Sequence, residues 1–391
     1  MPRFEPFHAI RYAVADLDPV IAPPYDVLSD AEVTELAARS RYNIVHVDVP
    51  RGSDSRYRVA ADLLQDWLAD GVLVREPEPS FTIYRMCFTD GTGVRRNISG
   101  VLGGLEVVDE AAGGVLPHER TTPKASTDRL DLTRATMANL SPVWGLSLAS
   151  GLTELLSEPG EPVGRVLDEG VEHVLERVVD PERIAGIQQL LAIDDVLIAD
   201  GHHRYGISRT VRDEVRARTG RRDTPAEQTL AFVNELAADQ LSVAAIHRLY
   251  TGTSLAQLAA ALEAGFTLTP MPMPGDGTLA AMATERFLVL VGPDAAWRLD
   301  PRPGAFDDVR ELDGAWLETV LAGLPLAMAY QHGLAEAAAA VRDGAAVAAV
   351  LIRPVSVGEI ERTAREGSLM PPKSTFFTPK LKTGFVIRPL D

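Results

Sequence analysis

Apolar residues along this chain switch repeatedly between helical and strand spacing, so helices and strands should alternate throughout. Residues 30–40 and 54–70 carry helical spacing, and Gly71 stops the second helix. Between them, 43–49 reads as a strand. Residues 80–88 and 95–107 alternate apolar and polar positions around Asp90-Gly91, a hairpin signal. Residues 117–127 are polar and loop-like, and 128–140 return to helical spacing. The Pro-, Gly- and acid-rich stretch 158–170 is expected to be a surface connection. Residues 181–192 read as a helix and 195–199 as a short apolar strand. Another helix follows, closed by Thr219-Gly220, and then come expected strands at 229–237 and 243–249. From about Thr253 the chain is Ala-rich, alternates helix with strand, and is broken at 270–277. No internal repeat is visible. The alternation predicts a mixed α+β fold in three regions: 1–112, 113–250 and 251–391.

Composition narrows the class. Of 391 residues, 46% are hydrophobic and 24% charged, as in an ordinary globular protein. The net charge of −17 disfavours nucleic acid and anionic membranes as partners, so an anion site must be a local island of positive charge. Cys87 is the one cysteine, which leaves no disulfide within the chain and no cysteine-based zinc site. The opening MPRFEPFHAIRY lacks the apolar run of a signal peptide, and Glu336, Arg342 and Asp343 interrupt the longest apolar stretch. A cytoplasmic location is therefore expected, with the oligomeric state open between monomer and homo-oligomer. The P-loop, GxGxxG and GxSxG patterns are absent.

The strongest chemical signal is Asp200-Gly201-His202-His203-Arg204, set between the apolar run Val196-Leu197-Ile198-Ala199 and a helix carrying Ile207, Val211 and Val215. A strand-to-helix turn aims free amides and the positive end of the helix dipole at one spot. Gly201 allows close approach of the backbone to a ligand. Arg204 suits a phosphate, and His202 and His203 can donate to its oxygens or carry a proton. Asp200 would be repelled by phosphate, so it fits an acceptor-orienting base, a magnesium ligand or a brace for a histidine. A helix cap with surface histidines is the plainer reading, and a zinc site the third. Arg209, Arg212, Arg216 and Arg218 are expected on the solvated side of the helix.

Three other clusters accompany the motif. His118, Glu119, Arg120 and Lys124 crowd one loop ahead of a helix, an anion-binding composition. Near the carboxyl end Lys373, Ser374, Thr375 and Lys380 surround Phe376-Phe377, and two phenylalanines need burial, so the tail should dock on the body. Near the amino end Pro23-Pro24-Tyr25-Asp26 is stiff enough to place Tyr25 or Asp26 reproducibly, and Ser29 or Asp30 caps the helix that follows.

The blocks PPYDVLSDAEVTELAARSRYNIVHVDVP, HERTTPKASTDRLDLTRATMANLSPVWGL, LIADGHHRY and KSTFFTPKLKTGFVI together resemble the DUF1015 family, from about Phe7 to Arg388. That family is grouped with the ParB/sulfiredoxin superfamily, which also contains an ADP-dependent free serine kinase. The resemblance implies a ParB/sulfiredoxin-like core in 113–250, additional α/β elements, and a C-terminal α/β region whose tail returns to the site. It also implies that Gly201–Arg204 meets nucleotide or phosphate at a helix amino end. The resulting expectation is a phosphotransferase using Mg2+ with ADP or ATP and a hydroxylated small molecule, serine among them. Asp200, His202, His203 and Asp26 would be catalytic. Phosphate would be held by Gly201, His202, His203, Arg204, His118, Glu119, Arg120, Lys124, Lys373, Ser374, Thr375 and Lys380, and the acceptor by Tyr25 and Asp26. The alternatives are a nucleotide- or phosphometabolite-sensing protein without turnover and a metal-dependent hydrolase.

Overall fold

The computed structural model describes the chain apart from residues 54, 92, 110–111, 118–125 and 371–372. The motif strand, Val196–Asp200, lies next to one edge of a nine-stranded sheet. The order runs Val115–Pro117, Val196–Asp200, Val143–Ser147, Gln228–Glu235, Arg95–Glu106, Phe81–Thr89, Val171–Val178, Glu161–Asp168, with Phe4–Glu5 also pairing to Arg95–Glu106. Val196–Asp200 is parallel to Val115–Pro117 and antiparallel to Val143–Ser147, with an irregularity between Ile198 and Asp200 that ends the regular ladder. Leu197 and Ala199 enter one hydrophobic core while Val196 and Ile198 enter another. A strand covered on both faces needs apolar residues at every position, which is why it reads as an unbroken run.

A second, six-stranded antiparallel sheet follows: Phe266–Met271, Ala296–Pro301, Leu288–Val291, Ala348–Leu351, Ile246–Thr251, Ala327–His332. It has cores of its own on both faces. The chain then comes back to the first body. Phe376–Phe377 pairs with Val243–Ala244, Ile10 and Ile387 exchange backbone hydrogen bonds, and Arg388–Pro389 pairs with Ala138–Asn139. The expected divisions at 112/113 and 250/251 cut through strand pairings. Arg95–Glu106 pairs with Gln228–Glu235 across the first, and Ile246–Thr251 spans the second.

Several elements differ from their expected form. The segment 43–49 is not a strand but contains the short helix Val45–Asp48. Asn43 Oδ1 accepts from the Val45 amide at 3.0 Å while its Nδ2 holds the Pro19 and Ile21 carbonyls, and Ile44, Val45 and Val47 are buried on every side, which removes helical periodicity. The helix expected over 128–140 is Ser126–Thr136; Met137 at φ +46° breaks it, and Ala138–Asn139 is extended. The expected connection 158–170 is largely the edge strand Glu161–Asp168, polar because an edge faces solvent. Arg212 is not solvated. It is 2% exposed, donates to the Val107 carbonyl at 2.6 Å and pairs with Asp109 at 2.5 Å.

Candidate functional site: the Asp200 turn

Gly201 has φ +87° and ψ 27°, a left-handed conformation that L side chains adopt only with strain. A Cβ there would also stand 3.1 Å from the Arg204 guanidinium carbon. The positive φ is what favours glycine, since the guanidinium is the end of a flexible side chain that can shift by a few tenths of an ångström. The helix His202–Thr219 starts immediately afterwards, and because Gly201 has no side chain the helix has no side-chain cap. Uncapped first-turn amides and the helix dipole favour negative charge at this end.

That end holds a compact ion cluster. Arg204 folds back so that Nη2 lies 3.3 Å from Asp200 Oδ2, and its Nη1 donates to the Pro142 carbonyl. Lys380, from the returning tail, places Nζ 3.2 Å from the same carboxylate oxygen. Burial on its own would raise the Asp200 carboxyl, but Lys380, Arg204 and His202 outweigh it and hold the group at about 2. The tail reaches this point because Phe377, 1% exposed, packs on Trp144 at 5.8 Å between ring centroids, and Trp144 is the register partner of Asp200. Phe376 stacks on His332 at 3.7 Å and receives Lys380 Nζ at 4.3 Å from its ring centroid.

A narrow cavity of about 40 Å³ adjoins the cluster, lined by Tyr25, Asp48, Arg129, Asn139, Ser141 and Arg204 among others. Arg129 lies over the Tyr25 ring at 4.2 Å, and its Nη1 donates to the Asp48 carbonyl at 2.5 Å and to Asp48 Oδ1 at 3.3 Å. Burial pushes the Asp48 carboxyl up, against the opposing pull of Arg129 and Arg204. Burial likewise pushes the Tyr25 hydroxyl up. The Arg204 guanidinium, which burial alone would lower, is raised by Asp200, Asp26, Tyr25 and Asp48 together. Two acids on the amino-terminal segment thus share one arginine with the motif.

The structure therefore gathers Asp200, Gly201, Arg204, Lys380, Tyr25 and Asp26. Asp26 is exposed on the 3-10 turn Tyr25–Val27. His202 and His203 occupy the first turn of the helix, half-buried. Lys373, in a left-handed conformation at φ +60°, joins Lys380 in lowering the His332 imidazole, after the larger effect of burial. Ser374 and Thr375 are half-buried on the segment leading to Phe376. His118, Glu119, Arg120 and Lys124 lie outside the described residues. Sequence reasoning did not single out Arg129, Asp48, Asn139, Ser141 or His332. Arg129 and Asp48 are 81 positions apart, and nothing local marks them as partners. Among the described residues, no group of three or more His, Cys, Asp or Glu is placed to hold a metal ion, and no helix is long and apolar enough to cross a membrane.

Fold and site together define a mixed α+β protein with a half-buried ion cluster at a strand-to-helix turn. The chain belongs to the DUF1015 family of proteins of unknown function, whose model matches residues 4–315. No curated protein matches it. Similar solved structures include a mutant free serine kinase in complex with ADP, at TM-score 0.37 and 11% identity, covering 70% of this chain and 89% of that one. SbnI with a C-terminal truncation, from Staphylococcus aureus, gives TM-score 0.40 and 11% identity, covering 72% of this chain and 85% of that one. A conserved hypothetical protein from Pyrococcus furiosus gives 0.36 and 11%, covering 70% and 92% respectively.

Proposed function

We propose that this chain moves a phosphoryl group between a nucleotide, ADP or ATP with Mg2+, and the hydroxyl of a small metabolite, with serine the first acceptor to test. The observation that carries the reading is a single carboxylate oxygen held at once by Arg204 and Lys380, at 3.3 and 3.2 Å, beside an uncapped helix amino end. Two cations that share one anion can exchange it for another. Phosphoryl transfer asks a protein mainly for position and positive charge, and this turn supplies both.

In this reading Gly201, His202, His203 and Arg204 hold phosphate oxygens from the first helical turn, and Lys380 neutralises them from the tail. Lys373, Ser374 and Thr375 extend that role along the tail. His118, Glu119, Arg120 and Lys124, just ahead of Ser126–Thr136 in the sequence, are assigned to the phosphate side as well, with Glu119 able only to orient a cation or hydroxyl there. Tyr25 and Asp26 face the acceptor, joined by Arg129 and Asp48. Asp200 is ionised and, held at about 2, is a weak base while both cations sit on it. When phosphate takes those cations the carboxylate loses what depresses it and becomes basic enough to orient a hydroxyl.

Mg2+ would screen charge on the phosphates. In this reading the ion arrives with the nucleotide, and Asp200 is the carboxylate offered to it at the turn. A cavity of about 40 Å³ takes the end of a ligand, a phosphate or hydroxymethyl group, and a whole nucleotide must extend beyond it.

The strongly depressed Asp200 also favours a second reading, a nucleotide-sensing protein without turnover. Incubation with ATP, ADP or CTP and a metabolite pool, followed by mass spectrometry, separates the two. A phosphorylated product that disappears in Asp200→Asn supports transfer. A nucleotide that is bound and never consumed supports sensing, and a chain that binds none of the three sinks both.

A further inference from the structure

A second pocket, of about 410 Å³, opens beyond the carboxyl end of the helix His202–Thr219. At 1.5 Å per residue this is about 27 Å from the Asp200 turn. Arg388 and Thr224 both line it. Arg388 is 2% exposed, and its guanidinium meets only neutral oxygens: the Gln228 carbonyl at 2.8 Å, the Pro225 carbonyl at 2.8 Å and Gln228 Oε1 at 3.0 Å. Its Nε is buried without a partner, as is Thr224 Oγ1. Gly104 lets the guanidinium pack this closely, since a Cβ there would stand 3.1 Å from Nε and 2.5 Å from Gln228 Oε1.

Buried charges are ordinarily paired, and buried polar atoms ordinarily bonded. Here neither holds. Burial lowers the Arg388 guanidinium and no acidic group offsets it. The acids at the pocket are otherwise engaged: Glu227 by Arg216 at 2.5 Å, Asp223 by Arg221 at 2.9 Å, and Glu5 by a hydrogen bond from Gln188. Arg222 is exposed at the rim and has no ion pair among the described residues. Two uncompensated cations in a chain of net charge −17 call for an anion. A phosphomonoester carries about −1.5 to −2 on one group at neutral pH, against −1 for a carboxylate, so it matches both cations at once. The space exceeds that of inorganic phosphate, and Phe7, whose ring lies 5.6 Å from the Arg388 guanidinium carbon, offers an apolar wall.

We propose that this pocket binds a small phosphomonoester, its phosphate drawn by the charge of Arg388 and held by Arg222 at the rim, its carbon body against Phe7. The site is separate from the Asp200 turn and does not depend on the function proposed for it.

Calorimetry on the full chain tests this, with inorganic phosphate and glycerol 3-phosphate as probes and succinate as the carboxylate comparison. Saturable phosphate binding should persist in Arg204→Ala, glycerol 3-phosphate should bind more tightly than phosphate, and succinate more weakly. Arg222→Gln, at an exposed position and with its fold checked by circular dichroism, should weaken phosphate about tenfold in that background, the effect of losing one charge-assisted contact. Arg388→Gln should weaken it at least as much. Absence of saturable phosphate binding in Arg204→Ala, indifference of the remaining binding to Arg222→Gln, or succinate binding more tightly than phosphate would each overturn the proposal.

Discussion

Arg204 and Arg388 are both largely buried, with 12% of the Arg204 side chain and 2% of Arg388 exposed, yet their charges are met in opposite ways. Arg204 is surrounded by Asp200, Asp26, Asp48 and Tyr25, which raise its guanidinium despite burial. Arg388 meets carbonyl oxygens and an aromatic face, and burial lowers it unopposed. Burial of a charge is thus no guide to its role; the kind of partner is. A carboxylate partner can be exchanged for phosphate, so the Arg204 cluster suits a ligand that arrives and leaves. Carbonyl partners leave the charge in place, so the Arg388 pocket keeps a standing attraction for an anion.

The comparison can be tested in order of effect. Arg129→Ala leaves Asp48 buried without its closest cation, and urea melts should show a loss of about 3–5 kcal/mol. Next, Arg204→Met should cost about 2–3 kcal/mol by stripping Asp200 and Asp48 of a shared cation, while Arg388→Met strands no anion and should cost less, its three lost hydrogen bonds to neutral oxygens being offset by relief of an unpaired buried charge. Equal costs would erase the distinction between the two arginines. The Asp200 carboxyl gives a pH signature of similar size. Its folded value, about 2, lies below its ordinary 3.8, so its stabilisation is complete above 3.8 and is lost as pH falls through about 2. That contribution is about 2 kcal/mol, and wild type and Asp200→Asn should converge in stability at the acid end of this window. Convergence above pH 4 instead would mean the ion cluster does not form in solution. Gly201→Ala should cost about 1 kcal/mol through its positive φ, and it should displace the Arg204 guanidinium and weaken ADP.

How much of this was legible in the sequence varies by distance along the chain. The turn was readable because strand, glycine and helix are contiguous: Val196–Asp200 shows a doubly buried strand, Gly201 a special backbone, Ile207 and Val211 a helix. The mixed α+β class and the DUF1015 family were readable for the same reason, through local periodicity and contiguous blocks. Lys380 was legible as a cation on a stiff segment, though its meeting with Asp200, 180 positions away, is a product of the tail packing on Trp144. Arg129 has the pattern of any helical arginine, and Asp48 sits in a segment whose apolar neighbours are buried on all sides, a pattern that predicts a strand. Arg388 carries no signal at all in the sequence. Its isolation follows from which strands, Gln228–Glu235 and Arg95–Glu106, happen to lie beneath it.

The central claim is that the Asp200 turn exchanges its carboxylate for phosphate, and calorimetric titration of Mg-ADP into the wild-type chain and Arg204→Ala tests it most directly. The account predicts saturable binding to the wild type and an affinity at least about tenfold lower in the folded variant, the effect of losing a charge-assisted contact. Equal affinity in the two chains, or no binding to the wild type, would contradict it.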